Sequence, residues 1–225
     1  MIDSFGWKSD PPLTPFAPSY SYHFTNKEIF SKQECKEWND YLLKQEKILL
    51  DKYKTAPMGD GGTGLGNNSI TSRFPHYNLL NSDFYLIPEL KIALLDGIKN
   101  ILFISDNKEW KETLYTNCWF NVLRQTEGMK THTHGCHKNT FYGFHLTINA
   151  TETSTSYYNP INEAEFFHVP NKIGVLTLFP AIIPHGVNPN KYGTPRISIA
   201  GDIYPSTWLN EDALNQSNLV EMGKC

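Results

Sequence analysis

The spacing of apolar residues changes halfway along the 225-residue chain, and this change constrains the fold more than any other feature. From Leu114 onward apolar residues recur at every second position, which is typical of half-buried β-strands. Such short strands after two helical segments favour a mainly β barrel or sandwich that is braced by helices. The predicted strands cover residues 114–124, 129–134, 141–149, 155–159, 165–169, 174–179, 185–188 and 195–204.

Two helices are predicted before this point. Ser31 and Glu34 have the spacing of a capping box, and the helix that begins there is expected to end near Lys54. A second helix is expected from Pro88, because proline suits the first turn of a helix. Its apolar face would consist of residues at every fourth position, Leu90, Leu94, Ile98 and Leu102.

Three segments lack a clear period. The first 24 residues are rich in proline and predict an extended arm or an edge strand. Residues 56–72 contain five glycines, with a G-x-G-x-x-G match that begins at Gly59. A helix precedes this match and no helical pattern follows, so we reject a dinucleotide site. We interpret the segment as a surface loop, with a lid over an active site as the alternative. The polar tail after Trp208 is expected to be peripheral.

Composition argues against several classes of protein. The net charge is −3 without a basic stripe, so no nucleic-acid partner is expected. No apolar run is long enough to span a membrane, for which about 18 residues are needed. The four cysteines lack C-x-x-C spacing, and the N-terminus has no signal-peptide pattern. We therefore expect reduced thiols and a cytoplasmic protein.

Six of the eight histidines lie between residues 132 and 185. His132 and His134 form an H-x-H pair, which places two imidazoles on one face of a strand, where they could bind a single metal ion. His185 lies in a strongly apolar stretch, so its buried ring nitrogens need a metal or hydrogen-bond partners. Each feature also has an ordinary structural explanation, namely a polar strand edge or a core histidine bonded to backbone.

Arg196 and Ser198 form a second candidate constellation. Arg196 follows His185 by eleven residues, and the turn residues between them predict a hairpin that brings the two side chains close together. Arg196 and Ser198 alternate onto one face of the strand. A guanidinium and a hydroxyl on one face suit a carboxylate, although a surface arginine is the alternative.

Taken together, these motifs resemble the Fe(II)/2-oxoglutarate-dependent oxygenases over about residues 115–204. The resemblance implies a double-stranded β-helix, or jelly roll, with supporting N-terminal α-helices. We expect one domain over 1–225, with the arm, helices and Gly-rich loop in 1–113, the catalytic core in 114–205 and the tail in 206–225. The implied activity uses Fe(II), 2-oxoglutarate and O2. It oxidises a small-molecule or peptide substrate, most commonly by hydroxylation, and releases succinate and CO2.

The resemblance implies iron ligands at His132 and His185. The family normally has an aspartate or glutamate at the second ligand position, where this chain has His134. Three alternatives follow. In the first, His134 is itself a ligand; in the second, the position is open and His134 lies behind the ligands; in the third, a carboxylate completes the usual triad. Glu127 and Asp202 are the candidate carboxylates.

The resemblance also implies a binding site for the cosubstrate. Arg196 and Ser198 would bind the far carboxylate of 2-oxoglutarate, while its other end chelates iron. Further hydrogen-bond donors are expected on the strands that flank the first ligands, from Asn121, His145 and Thr147. His145 and Thr147 share a face by strand alternation.

Substrate contacts and competing functions complete the predictions. Arg73 and His76, which follow the Gly-rich loop, are expected to form a polar clamp on the substrate. One competing function is a three-histidine jelly-roll metalloenzyme that does not use 2-oxoglutarate, which gives Arg196 no task. A zinc site that includes Cys136 is a related alternative. The other competing function is a non-catalytic binding protein, which predicts no stoichiometric metal.

Overall fold

The C-terminal half of the chain, in which apolar residues alternate, folds into strands. The computed structural model describes residues 3–9, 20–105, 111–134, 140–210 and 218–225. All eight predicted strands are present, with bounds that differ by at most two residues. The elements in chain order are β1 (Asp3–Ser9), β2 (Tyr20–Glu28), α1 (Lys32–Lys52), α2 (Ile87–Ile104), β3 (Thr113–Leu123), β4 (Met129–His132), β5 (Tyr142–Asn149), β6 (Ser154–Tyr158), β7 (Phe166–Pro170), β8 (Val175–Pro180), β9 (His185–Val187), β10 (Arg196–Pro205) and β11 (Val220–Lys224).

The strands form two antiparallel sheets. One has seven strands in the order β1-β2-β8-β5-β10-β3-β11, and the other has four in the order β4-β9-β6-β7. The central strands β8-β5-β10-β3 together with the second sheet have the strand order of a double-stranded β-helix. The predicted fold class is therefore confirmed, and the two sheets enclose a cavity between them.

Side-chain alternation gives the large sheet two different faces. On β10, Ile197, Ile199 and Ile203 belong to the apolar core that also contains residues of α1 and α2. Arg196 and Ser198 point the opposite way and line the cavity. Because alternate residues of a strand face opposite sides, the apolar positions attach the helices while the polar ones form the site.

The two helices begin close to where the sequence predicts. Ser31 is the N-cap of α1, and its reciprocal hydrogen bonds with Glu34 complete the capping box. Helix α2 begins one residue before Pro88 and buries the predicted apolar face. Neither helix has the length and apolar character needed to cross a membrane.

The N-terminal end agrees with the predicted edge strand, because β1 lies at the edge of the large sheet, whereas the C-terminal end differs from the prediction. The predicted arm contributes β1 and β2, and β2 pairs with β8 inside the large sheet. The tail is not peripheral, because β11 pairs with β3 and buries Met222. The sequence did not predict β11, because this short polar segment lacks the apolar alternation that identifies a strand. Its pairing partner, β3, lies about 100 residues earlier in the sequence.

Gly174 joins the helical layer to the sheets. Its carbonyl accepts from the N–H of Ile29 at 2.9 Å, and its own N–H donates to the carbonyl of Thr147 at 2.8 Å. Its φ is +82°, and a Cβ at this position would lie 2.1 Å from the carbonyl oxygen of Phe30. Both the backbone conformation and the close approach therefore require glycine.

Gly174→Ala is expected to lower the free energy of unfolding by about 2–5 kcal/mol, because it adds left-handed backbone strain to a steric overlap. Urea denaturation measures this change. Gly193→Ala is the matched control, since a Cβ there meets nothing within 4 Å, and it should stay within about 0.5 kcal/mol. Equal stability of the two variants would contradict the conclusion that glycine is required at position 174.

Candidate metal centre

Three histidines converge on the wall of the cavity. Strands β4 and β9 pair so that His132 lies directly opposite His185. His134 follows the end of β4, where its backbone N–H donates to the carbonyl of Ala181 at 3.0 Å. One potential ligand atom from each of the three rings lies within 4.8 Å of the other two. This arrangement could hold a single metal ion.

Backbone carbonyls fix the tautomers of two of these rings. The Nδ1 of His132 lies 2.8 Å from the carbonyl oxygen of Lys130, and the Nδ1 of His185 lies 3.0 Å from that of Ile183. Because a carbonyl only accepts, each Nδ1 carries the proton and leaves a lone pair on Nε2. Burial lowers the pKa of His132 to about 4 and that of His185 well below its usual value, so both rings stay neutral.

The hydrogen-bond partner of Nδ1 is a carboxylate for His134, whereas it is a backbone carbonyl for His132 and His185. Its Nδ1 lies 2.6 Å from Oδ1 of Asp202, whose Oδ2 accepts from the hydroxyl of Tyr204 at 3.2 Å. Gly143 leaves room for the ring, since a Cβ there would lie 3.0 Å from Nδ1 of His134. Asp202 therefore orients His134 and leaves its Nε2 available, as outer partners of metal-binding histidines do.

This geometry separates the alternatives for the second ligand. Asp202 lies behind His134, and Glu127 accepts from the backbone N–H of Arg124 at 2.6 Å and does not line the cavity. Neither carboxylate takes a ligand position, so the predicted carboxylate triad is not formed by these two residues. Cys136 lies outside the described residues.

The cavity has a volume of about 780 Å³, and its lining includes the three histidines and Arg196; we call the end at Arg196 the inner end. Its inner end is polar, although strands surround it. The residues that line this end come from three strands of the large sheet and from β6: Asn121, His145, Thr155, Arg196 and Ser198.

Arg196 is the most deeply buried charge in this end of the cavity. It is only 2% exposed, and its Nη1 donates to the Oγ of Ser198 at 3.2 Å. Its Nε has no hydrogen-bond partner and no carboxylate forms an ion pair with it among the described residues. Burial lowers its pKa to about 10, so the guanidinium remains charged at neutral pH. A buried cation without a counter-charge is costly, so this position favours an anionic ligand.

Ser198 is held ready to donate a hydrogen bond. Its Oγ accepts from Arg196 and lies 3.4 Å from Nδ2 of Asn121. The Oδ1 of Asn121 in turn accepts from the hydroxyl of Thr71 at 2.8 Å. Because the Ser198 oxygen accepts from two sides, its own proton is available to a ligand. Thr147 is the register partner of Ser198 and is buried, but it does not line the cavity.

His145 shares a hydrogen bond with a residue that sequence reasoning missed. Its Nε2 lies 2.5 Å from the hydroxyl of Tyr157, which is itself the register partner of His185 on the second sheet. Burial, followed by the charge of Arg196, lowers the pKa of His145 to about 3. The neutral ring therefore places a hydrogen-bonding group on the cavity wall. Tyr157 could have been identified only from the pairing of β6 with β9.

Arg73 and His76 were expected to contact the substrate, but they lie outside the cavity. The Nε of Arg73 donates to the carbonyl of Tyr53 and its Nη1 to that of Asn67, both at 2.6 Å. His76 stacks on the Tyr53 ring, with the centroids 4.7 Å apart, and neither residue lines the cavity. The guanidinium is occupied by backbone carbonyls from the two ends of the Gly-rich loop, which corrects the prediction.

The Gly-rich loop forms part of the cavity wall. Residues 60–63 line the cavity, and the carbonyl of Thr63 accepts from the N–H of Lys130 on β4 at 2.8 Å. The carboxylate of Asp60 accepts from the N–H groups of Gly62 and Gly66, at 3.1 and 2.7 Å. The loop is therefore attached to the strand that carries His132.

Comparison with known proteins defines the fold class. No family model and no curated protein matches the sequence. Among solved structures, a Pseudomonas putida prolyl-4-hydroxylase has a TM-score of 0.54 and 13% identity, covering 80% of this chain and 91% of that one. The α-ketoglutarate-dependent epimerase SnoN from nogalamycin biosynthesis has 0.54 and 14%, covering 82% and 78%. HygX from Streptomyces hygroscopicus, solved with nickel and 2-oxoglutarate, has 0.53 and 10%, covering 81% and 82%.

This chain therefore has the fold of the 2-oxoglutarate-dependent oxygenases. The resemblance that rests on H-x-H, the distal histidine and R-x-S is confirmed at the level of the fold. At 10–14% identity the likeness defines the architecture, while the reaction has to be argued from the side chains.

His132→Ala and His185→Ala are expected to lose stoichiometric metal, because each removes one of three converging imidazoles. His168→Ala is the matched control, since this histidine lies on β7 and bonds to the hydroxyl of Ser156 outside the cavity. Metal analysis after reconstitution with Fe(II) measures the difference. Equal metal content in all three variants would contradict the assignment of the site.

Asp202→Asn is expected to weaken metal binding by roughly 10–100-fold, the usual cost of losing an outer partner of a ligating histidine. Competition with a chromophoric chelator measures the affinity. Tyr204→Phe, which removes only the hydrogen bond to the other carboxylate oxygen, should change it much less. An unchanged affinity in Asp202→Asn would show that the carboxylate does not support the metal site.

Proposed function

We propose that this protein is an Fe(II)- and 2-oxoglutarate-dependent dioxygenase in which His132, His134 and His185 ligate the iron. The observation that carries the proposal is the buried guanidinium of Arg196, which has no carboxylate partner among the described residues and shares a cavity with the three histidines. The expected outcome is hydroxylation of a small-molecule or peptide substrate, with release of succinate and CO2.

The residues present suit the metal. Imidazole nitrogens are good ligands for iron, and each of the three rings has its Nδ1 engaged and its Nε2 free of hydrogen bonds to the described residues. When bound, Fe(II) together with 2-oxoglutarate supplies the activation of O2 and the oxidation of the substrate. HygX, which has the same fold, was solved with nickel and 2-oxoglutarate bound.

The inner end of the cavity suits the cosubstrate. Arg196 binds the far carboxylate of 2-oxoglutarate with a charge-assisted hydrogen bond, and Ser198 donates a second one. Asn121 orients the Ser198 hydroxyl, while the neutral His145, which bonds to Tyr157 behind it, adds a polar group to the wall. Thr147 lies behind this layer, so its predicted contact with the cosubstrate stays a prediction.

Asp202 compensates for the histidine at the second ligand position. Three neutral imidazoles leave the charge of a divalent cation unreduced, whereas a carboxylate ligand would lower it by one. The hydrogen bond from His134 to Asp202 places that negative charge one side chain further out and makes the ring a stronger donor of its lone pair.

The decisive experiment is anaerobic. Fe(II) is added to metal-stripped protein, followed by 2-oxoglutarate, and the visible absorption is recorded. A weak charge-transfer band that requires both components is expected. Metal binding without such a band would support the three-histidine enzyme that uses no keto acid. Absence of metal binding would support the non-catalytic binding protein.

Arg196→Lys is expected to weaken 2-oxoglutarate binding at least about tenfold, because an ammonium is a point charge and cannot form the paired bonds of a guanidinium. Calorimetry on the metal-loaded protein measures the affinity. Arg124→Lys is the matched control, because Arg124 pairs with Glu46 outside the cavity. Unchanged affinity in Arg196→Lys would refute the cosubstrate assignment.

A further inference from the structure

The cavity continues past the three histidines, on the side away from Arg196. Along β10 the cavity-facing residues run from Arg196 through Asp202, which contacts His134, to Tyr204. The histidines therefore stand between an inner end at Arg196 and an outer end at Tyr204. We call this outer end the outer chamber, and its described lining consists of Met58, Phe74, Asn117, Trp119, Thr140, Tyr204, Leu209, Asn218 and Leu219.

The outer chamber has room for a second molecule. The whole cavity measures about 780 Å³, within the range of about 300–1,000 Å³ that is typical of sites for drug-sized ligands. The cosubstrate is a small diacid that the inner end anchors at Arg196. The remaining volume lies beside the metal centre, where a reacting group would have to be placed.

The outer chamber has an aromatic corner. The rings of Phe74 and Trp119 lie 5.5 Å apart at an angle of 47°, and Trp119 also packs 5.7 Å from the ring of His134. Met58, Leu209 and Leu219 add further apolar side chains to the lining of the cavity. Such a corner favours a ligand with a ring or another flat apolar body, because ring contacts add to the gain from apolar burial.

The polar groups of the outer chamber are uncharged. Asn117, Thr140, Tyr204 and Asn218 offer amides and hydroxyls. The side chain of Asn117 is not fully used, because its Oδ1 is buried without a hydrogen-bond partner among the described residues. A buried amide oxygen without a partner favours a ligand that carries hydrogen-bond donors.

Among the residues that the structure describes, the charged side chains of the cavity lining other than Arg196 are negative. Asp60 on the Gly-rich loop and Asp202 beneath His134 both line the cavity. Among the described lining residues the only arginine or lysine is Arg196, which lies at the inner end. An anionic group in the outer chamber would lose its hydration without gaining a counter-charge, and two carboxylates would repel it.

We propose that the substrate places an uncharged or cationic ring-bearing group, substituted with hydrogen-bond donors, in the outer chamber. Phosphorylated and carboxylated groups are excluded from it. This inference rests on the proposed function, because it treats the space beside the three histidines as the site of oxidation.

Three indole compounds of similar length test the proposal. Tryptophol is neutral, tryptamine is cationic and indolepropionate is anionic, while the ring is the same. Each is titrated anaerobically into protein loaded with Fe(II) and 2-oxoglutarate, and binding is measured by calorimetry. We expect tryptophol and tryptamine to bind at least about tenfold more tightly than indolepropionate. Equal or tighter binding of indolepropionate, or no binding of any of the three, would overturn the proposal.

A charge variant locates the preference in the outer chamber. Leu219→Lys adds a cation to the lining and should strengthen indolepropionate binding about tenfold, while Leu219→Gln, a neutral polar control, should not. If indolepropionate gains no affinity in Leu219→Lys, the probes bind elsewhere and the proposal is overturned.

Failure of the proposed function gives a different result. In that case the charge-transfer band with 2-oxoglutarate does not form before any probe is added. The three probes are therefore also titrated into metal-free Arg196→Gln protein, in which the cation of the inner end cannot bind indolepropionate, so the charge preference of the outer chamber is measured whether or not the band forms. A normal band together with equal binding of all three probes overturns the substrate class alone.

Discussion

The alternation of side chains along β10 is the constraint on which both the core and the site depend. Its odd-numbered residues Ile197, Ile199 and Ile203 pack in the core shared with the helices, while Arg196 and Asp202 face the cavity. A shift of one residue in the pairing with β3 or β5 would place the guanidinium in the apolar core and remove the hydrogen bond to His134. The free energy that fixes the register therefore comes from apolar burial on one face, and the chemistry on the other face depends on it.

Charge balance explains how the parts of the proposed site would act together. The buried Arg196 and a divalent cation make the inner cavity positive, while the three imidazoles add no charge and Asp202 contributes one negative charge behind His134. A dianionic cosubstrate would neutralise most of this positive charge. Once it is bound, no cation of the described lining remains unpaired to attract a second anion. Selection against anionic substrates thus follows from the same charges that would bind 2-oxoglutarate.

The features that depend on residues close together in the sequence, namely the strands and the site motifs, could be predicted from it. Strand period identified all eight core strands, and the motifs that resemble those of the oxygenases singled out His132, His185 and Arg196. Features that depend on contacts between residues far apart in the sequence could not be predicted from it. Arg73 is occupied by carbonyls on both sides of the Gly-rich loop, and β11 becomes a strand only by pairing with β3. The hydrogen bond between Asp202 and His134 depends on the relative positions of β10, β5 and the end of β4, and the spacing of apolar residues does not predict these positions.

The Gly-rich loop illustrates how a segment without regular structure can still form a defined wall. Five of its glycines, from Gly59 to Gly66, have φ between +67° and +80°, a region that costs other residues strain. Asp60 and Arg73 hold the loop by binding its backbone groups from within and from its end. Because Thr63 also bonds to β4 two residues before His132, displacement of the loop would disturb the strand that carries this histidine. The loop and the strand that carries His132 are therefore joined by a backbone hydrogen bond, so the loop supports the position of this histidine.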